Sequence, residues 1–300
     1  MTVSAVRSAD GWAQLRILVA AVLAVTLWGA TPVVTRFAVG VADPLTVGLL
    51  RTVLAAVAAG PLLALMRIPL PRGPRRLGSL ALSSITALAV FPVLLSLGLE
   101  RTSAANAALI MTAIPIFTGI FAAVAERLPL PPLFWLGAAV AMVGEAALVG
   151  LRLGAPAGGD LYGDLLIAAA GVTAALGYVA GARLSRDYPA VGATLWGLVL
   201  AGCLVLPLLA ALFAFGPVPR LSGDLWLALV YLAVGGSLIA YIAWYWALSR
   251  GGIARTGTVQ YAQPLVTVVL AALFLRESIT WPLLAAGAII VAGIAIAQRR

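Results

Sequence analysis

Long apolar runs alternate with short polar breaks along the whole chain. Ten runs are predicted as helices. The first five are Leu15–Phe37, Leu45–Met66, Leu77–Leu99, Ala104–Ala125 and Leu133–Gly150. The second five are Leu161–Leu184, Val191–Phe215, Asp224–Leu248, Thr256–Leu275 and Trp281–Ala297. Runs of about 20 apolar residues match the hydrocarbon thickness of a bilayer. The expected fold class is an all-α integral membrane protein with ten transmembrane helices. The first run is too long for the core of a signal peptide, so it is taken as the first span.

One stretch occurs twice. Arg101 precedes a small-residue turn, an apolar helix interrupted by Pro115, then Glu126 and a second apolar helix with spaced glycines. Arg250, Pro264 and Glu277 repeat the order, the Arg and Pro at an offset of 149 and the Glu at 151. Five spans per half is an odd number, so the second half must enter the membrane in the opposite sense. Duplication with an odd count predicts an inverted repeat, the plan of many secondary transporters. The expected units are residues 1–150 and 161–300, joined by the Gly/Pro/Ala loop 151–160.

Composition agrees: 63% of residues are hydrophobic, mean hydropathy is +1.11 and only 10% are charged. The net charge of +9 does not make a nucleic-acid face, because all 19 basic residues are Arg and most lie in the breaks. Placing the N-terminus in the cytoplasm leaves Arg36, Arg51, Arg101, Arg152, Arg220 and Arg276 toward the outer side and the rest toward the cytoplasm. That asymmetry predicts both termini inside. The strongest single marker is the cluster Pro69–Arg76. One Cys and no His leave neither a disulfide framework nor the commonest metal ligand, so no metal or other cofactor is expected.

Several features together resemble the drug/metabolite transporter superfamily, and within it the EamA-type ten-helix exporters. They are Trp28-Gly29 in the first helix, Arg51 early in the second, Ser103–Pro115, Glu126, Gly137 and Gly144, then Pro264 and Glu277. The resemblance implies two inverted five-helix repeats around a central cavity lined by helices 1, 3, 4, 6, 8 and 9. It also implies a place in the bacterial inner membrane and a small-molecule substrate. Amino-acid exporters look nearest, and a homodimer is compatible with the pattern. Two departures stand out. Proline and Glu are 11 residues apart in the first copy and 13 in the second, and the second copy offers Gly177-Tyr178 in place of a Trp-Gly pair.

The candidate hinges are Pro115 and Pro264. A proline lacks the N–H that would bond the carbonyl four residues back, here those of Met111 and Gln260. Such a carbonyl either binds a substrate ammonium or lies at a packing kink, satisfied by a Thr or by water. Gln260 and Gln263 are two amides in an apolar helix, placed for substrate recognition or for an interhelical hydrogen bond. Tyr241, Trp244 and Tyr245 share one helix face, suited either to an organic ligand or to an interfacial aromatic belt. Trp28 and Tyr178 hold equivalent places in helices 1 and 6 and carry the same two readings. The substrate-binding candidates are thus Trp28, Met111, Tyr178, Tyr241, Trp244, Tyr245, Gln260 and Gln263.

Charged residues within or ending the spans are structural or coupling candidates. Arg51 either attracts a substrate carboxylate or snorkels out to Asp43, the structural role being favoured. Glu145 is taken as structural or protonated within its helix. Glu126 and Glu277 are expected to pair with nearby Arg at opposite faces.

The function expected is secondary transport: export of amino acids or similar small amphipathic metabolites by alternating access. There is no phosphate-binding Gly-rich loop for ATP. A multidrug or organic-cation exporter is the alternative, weakened by a first helix with no Glu. With no His to act as a base, an intramembrane enzyme is not expected.

Overall fold

The computed structural model describes residues 3–127, 131–153, 160–216, 222–276 and 278–297. At a few helical positions, among them Glu145 and Tyr261, only the backbone is described. Glu277 and most of the loop 151–160 lie outside the described residues.

Among the described residues every element is helical. The first half holds α1 (Val3–Val39), α2 (Pro44–Met66), α3 (Pro74–Arg101), α4 (Ala104–Glu126) and α5 (Pro132–Leu153). The second holds α6 (Leu161–Leu184), α7 (Ala190–Phe215) and α8 (Gly223–Gly251). Then come α9, built from Ile253–Gly257, Thr258–Ala262 and Gln263–Phe274, and α10 (Trp281–Ala297). Seven of these are long and apolar enough to cross a membrane over their described residues: α1 to α4 and α6 to α8.

The helix starts follow from capping. Asp43, Ser103, Asp160 and Ser222 each accept a hydrogen bond from a first-turn backbone N–H, and Pro44 takes the first position of α2. At Asp160 the Tyr162 N–H at 3.0 Å, then the Arg101 guanidinium at 2.8 Å, hold the carboxyl below its usual range.

The principal packing joins one half to the other: α2 on α7, α3 on α6, α1 on α8 and α9, α4 on α6 and α9, and α5 on α10. Small residues permit it. Within the first half, a Cβ on Gly48 would lie 2.8 Å from Val93 Cα, so α2 and α3 meet backbone to backbone. Between the halves, a Cβ on Gly177 would lie 2.9 Å from the Ala87 nitrogen.

Two helices widen and two tighten, at matching places. α3 contains a π segment at Ser84–Val90 and α8 one at Tyr231–Ile239. α4 tightens to a 3-10 turn at Met111–Ala113 and α9 at Thr258–Ala262. Such irregularities gather at functional sites, because each leaves backbone groups for side chains to satisfy.

Candidate functional site

The π segments face the middle of the bundle, and aromatic side chains bond their carbonyls. The Trp28 indole N–H donates to Gly236 O at 2.8 Å. The Tyr241 hydroxyl donates to Ala87 O at 3.0 Å. Pro92 cannot donate to Leu88 O, and the Thr52 hydroxyl takes that place at 3.2 Å. Tyr245 and Ser83 share a hydrogen bond at 2.7 Å between their hydroxyls.

These rings form one cluster across the two halves. Trp28 stacks on Tyr178 with centroids 5.2 Å apart. Tyr241 and Trp244 meet Trp28 edge-on at 5.1 and 5.4 Å, and Tyr245 meets Tyr241 at 5.5 Å. Separations of this size are those of favourable aromatic pairs. All five rings are buried, none more than 3% exposed. They therefore do not form an interfacial belt, the second reading offered for the α8 face. Trp28 turns that face inward by drawing Gly236 toward α1.

The prolines act differently from expectation. The carbonyls of Met111 and Gln260 are not bare: each accepts the N–H three residues on, from Ile114 and Gln263. The helix tightens by one residue ahead of each proline and recovers the lost bond. Beyond each proline a threonine repeats the same contact. The Thr118 hydroxyl donates to Ile114 O at 2.9 Å and the Thr267 hydroxyl to Gln263 O at 3.1 Å. Thr267 also reaches Gly29 O at 2.7 Å, tying α9 to α1. The candidate ammonium acceptors at Met111 and Gln260 are thus already engaged by backbone donors.

Gln260 and Gln263 are both buried, as is Met111. Gln260 Nε2 makes no hydrogen bond, although the Tyr178 hydroxyl is its neighbour. Trp244 Nε1 is likewise without an acceptor.

Arg51 does not snorkel. It is 0% exposed, and its Nε donates to Ser237 Oγ at 3.3 Å within the π segment of α8. Asp43, the partner considered for it, instead caps α2 through the Thr46 N–H at 2.7 Å and hydroxyl at 2.9 Å. Glu126 pairs with an Arg at its own end of the bundle, Arg186 on the turn between α6 and α7. Glu145 and Glu277 carry no side-chain description.

Sequence reasoning passed over Asp164, an acid inside the first turn of α6. It is 5% exposed and accepts from the Thr102 hydroxyl at 2.8 Å and Asn106 Nδ2 at 2.7 Å. A carboxylate at the start of α4 opposes the partial positive charge of that helix end. The available signal was an acid one turn after Asp160 at the head of an apolar run.

The EamA-like transporter family matches residues 15–150 and again 161–298, together nearly the whole chain. The chain belongs to this family. The EamA family sits within the drug/metabolite transporter superfamily, and this member is a multi-pass membrane transporter. It is 33% identical to the "uncharacterized transporter YdeK" of Bacillus subtilis (strain 168) over 272 residues, 88% of this chain and 91% of that one. It is 30% identical to a "probable terminal-alkyne amino-acid exporter" of Streptantibioticus cattleyicolor, covering 82% of this chain and 79% of that one. The "uncharacterized inner membrane transporter YedA" of Escherichia coli (strain K12) is 27% identical over 245 residues, 81% of this chain and 78% of that one. A solved crystal structure superposes with a TM-score of 0.66 at 26% identity, covering 94% of this chain and 97% of the other. In this EamA protein, therefore, the buried aromatic cluster lies at the heart of a transporter.

Proposed function

We propose that this EamA protein exports amino acids or similar small amphipathic metabolites across the bacterial inner membrane by alternating access. The observation that carries the reading is the aromatic cluster, because its members come from both halves of the chain. Trp28 belongs to the first half, and Tyr178, Tyr241, Trp244 and Tyr245 to the second. A site whose walls sit on two units changes shape when the units rock, as alternating access requires. Indole and phenol rings offer apolar area with polar handles, which suits amphipathic substrates.

The helix pairing supports two inverted five-helix repeats, residues 1–150 and 161–300 flanking the loop 151–160. Advancing each helix by five converts the α1–α8 contact into α6–α3 and the α1–α9 contact into α6–α4, while α2–α7 and α5–α10 map onto themselves. Pro115 and Pro264 fall at equivalent points of this pattern, each just after a 3-10 turn, which supports a hinge role for them. We infer both termini to be cytoplasmic, from the arginine asymmetry. The names of the Streptantibioticus and Escherichia relatives add support for amino-acid export and for the inner membrane.

The organic-cation reading is favoured by one observation, the aromatic box itself, since ring faces attract cations. The buried, positively charged Arg51 opposes it. The test is counterflow into liposomes carrying the purified protein, with L-amino acids and with quaternary ammonium dyes. Saturable amino-acid exchange is the expected result. Exchange of the dyes alone overturns the amino-acid reading.

A further inference from the structure

Four buried nitrogens near the middle of the bundle meet no acceptor among the described residues. They are Arg51 Nη1 and Nη2, Trp244 Nε1 and Gln260 Nε2. Arg51 carries a full charge as well, and its side chain is wholly enclosed. The titratable side chains near it are the phenols of Tyr241, Tyr231 and Tyr178, neutral at pH 7, and not carboxylates. Among the described residues no carboxylate forms an ion pair with Arg51: Asp43 caps α2, Glu100 lies 3.9 Å from Arg101, and Asp164 holds Thr102 and Asn106. A buried charge without a partner is among the most expensive features a protein can carry, more so within a membrane. Unpaired charges inside spans mark ligand and ion pathways.

The unpaired donors belong to one connected region. Arg51 Nε bonds Ser237, the neighbour of Gly236, whose carbonyl binds Trp28. Gly236 itself lies beside the guanidinium: a Cβ built on it would meet Arg51 Nη2 at 3.5 Å and Thr31 Oγ1 at 3.1 Å. Trp28 contacts Tyr178 and Trp244, and Tyr178 neighbours Gln260.

We propose that Arg51 anchors a carboxylate of the transported molecule, with Trp244 and Gln260 supplying further donors and the aromatic rings holding its apolar part. The inference rests on the transport reading above and narrows its substrates to anions and zwitterions. A carboxylate fits because the guanidinium fork bonds two oxygens at once, and Nη1 and Nη2 are the two nitrogens left over. A buried charge without a counter-charge strains the fold, and a bound carboxylate neutralises it.

That strain supplies a test no structural role would pass. Removing a structural Arg lowers stability, whereas removing an unpaired one raises it. The experiment compares wild type, Arg51→Met and Arg51→Lys in detergent. It uses L-phenylalanine, 3-phenylpropanoate, phenylalanine amide and phenethylamine, which share a ring and differ in charge. Without ligand, Arg51→Met is expected to melt several degrees above wild type. The zwitterion and the anion should stabilise wild type while the two cations do not, and Arg51→Met should lose at least tenfold in affinity for both. Arg51→Lys, which keeps a point charge but not the fork, should fall between.

A lower melting temperature for ligand-free Arg51→Met overturns the anchor. So does the absence of any carboxylate effect on wild type, and so does amino-acid flux that survives in Arg51→Met. Stabilisation by the anion in wild type and not in Arg51→Met, with no amino-acid flux, supports the anchor and sinks only the amino-acid reading.

Discussion

The Trp28 indole N–H bonds the carbonyl of Gly236, and Gly236 lies 149 positions after Ala87, whose carbonyl takes the Tyr241 hydroxyl. That is the offset separating Arg101 from Arg250 and Pro115 from Pro264. Each half thus offers a π-segment carbonyl to an aromatic donor on the other half. The pair of bonds is a reciprocal clasp at the centre of the bundle.

Trp28→Phe keeps an aromatic ring but removes the donor together with part of the buried indole. It leaves Gly236 O unpaired in a buried place, which costs about 1–3 kcal/mol. The expected result is a lower melting temperature in detergent and slower counterflow, with secondary structure unchanged by circular dichroism. A variant as stable as wild type would mean the clasp contributes nothing to this state.

Asp164 gathers Thr102 and Asn106 at the start of α4. Asp164→Asn removes the charge that both donors face and turns one acceptor oxygen into a donor. Loss of about 1–3 kcal/mol is expected, by analogy with hydrogen bonds to charged groups. Thermal unfolding followed by size-exclusion of the monodisperse fraction checks it. Thr102→Val should lose less, because Asn106 still bonds the carboxylate.

Apart from the start of α1, at Val3 and not at Leu15, the boundaries of the described helices were legible to within a few residues, because hydropathy sets their length and Asp43, Ser103 and Pro44 mark starts. The proline positions were legible too. The fate of the carbonyls they release was not: sequence shows that a donor is missing, not that Ile114 and Gln263 supply one by tightening the turn. The spacing of Tyr241, Trp244 and Tyr245 identified a face, but only Trp28 and Tyr178 decide that the face turns inward. Arg51 was visible as a charge in an apolar run. Its direction depends on Ser237, which lies 186 residues away.

Gln260 and Gln263 test the recognition reading without disturbing the fold. Gln260 Nε2 is unbonded here, so Gln260→Leu breaks no hydrogen bond at that nitrogen. If the amide instead meets substrate, its loss removes a charge-assisted bond of about 1.5–3 kcal/mol, roughly 10- to 100-fold in affinity. Gln263→Leu is expected to act in the same direction, and Met111→Leu much less. Titration of purified, monodisperse variants distinguishes these outcomes. Unchanged affinity in both glutamine variants would place recognition elsewhere.

One end of the bundle carries two ion pairs from the first half to the turn between α6 and α7. Arg76 meets Asp187 at 3.0 Å, and Glu126 meets Arg186. Beside that turn lies a cleft of about 650 Å³, with Ala20, Trp246 and Ser249 among its lining residues. If the halves rock, opening at this end must break both pairs. Their side chains are between 25% and 61% exposed, so each pair is worth only about 0.2–1 kcal/mol. Removing both with Glu126→Gln and Asp187→Asn should favour the open form by about two- to thirty-fold. The readout is a cysteine placed at Ser249 in a Cys203→Ser background, labelled by a membrane-impermeant maleimide. Labelling should quicken in the double variant at low salt. The difference should shrink at high salt, where exposed charges are screened in both proteins. Equal labelling at low salt would show that these pairs do not hold this end closed.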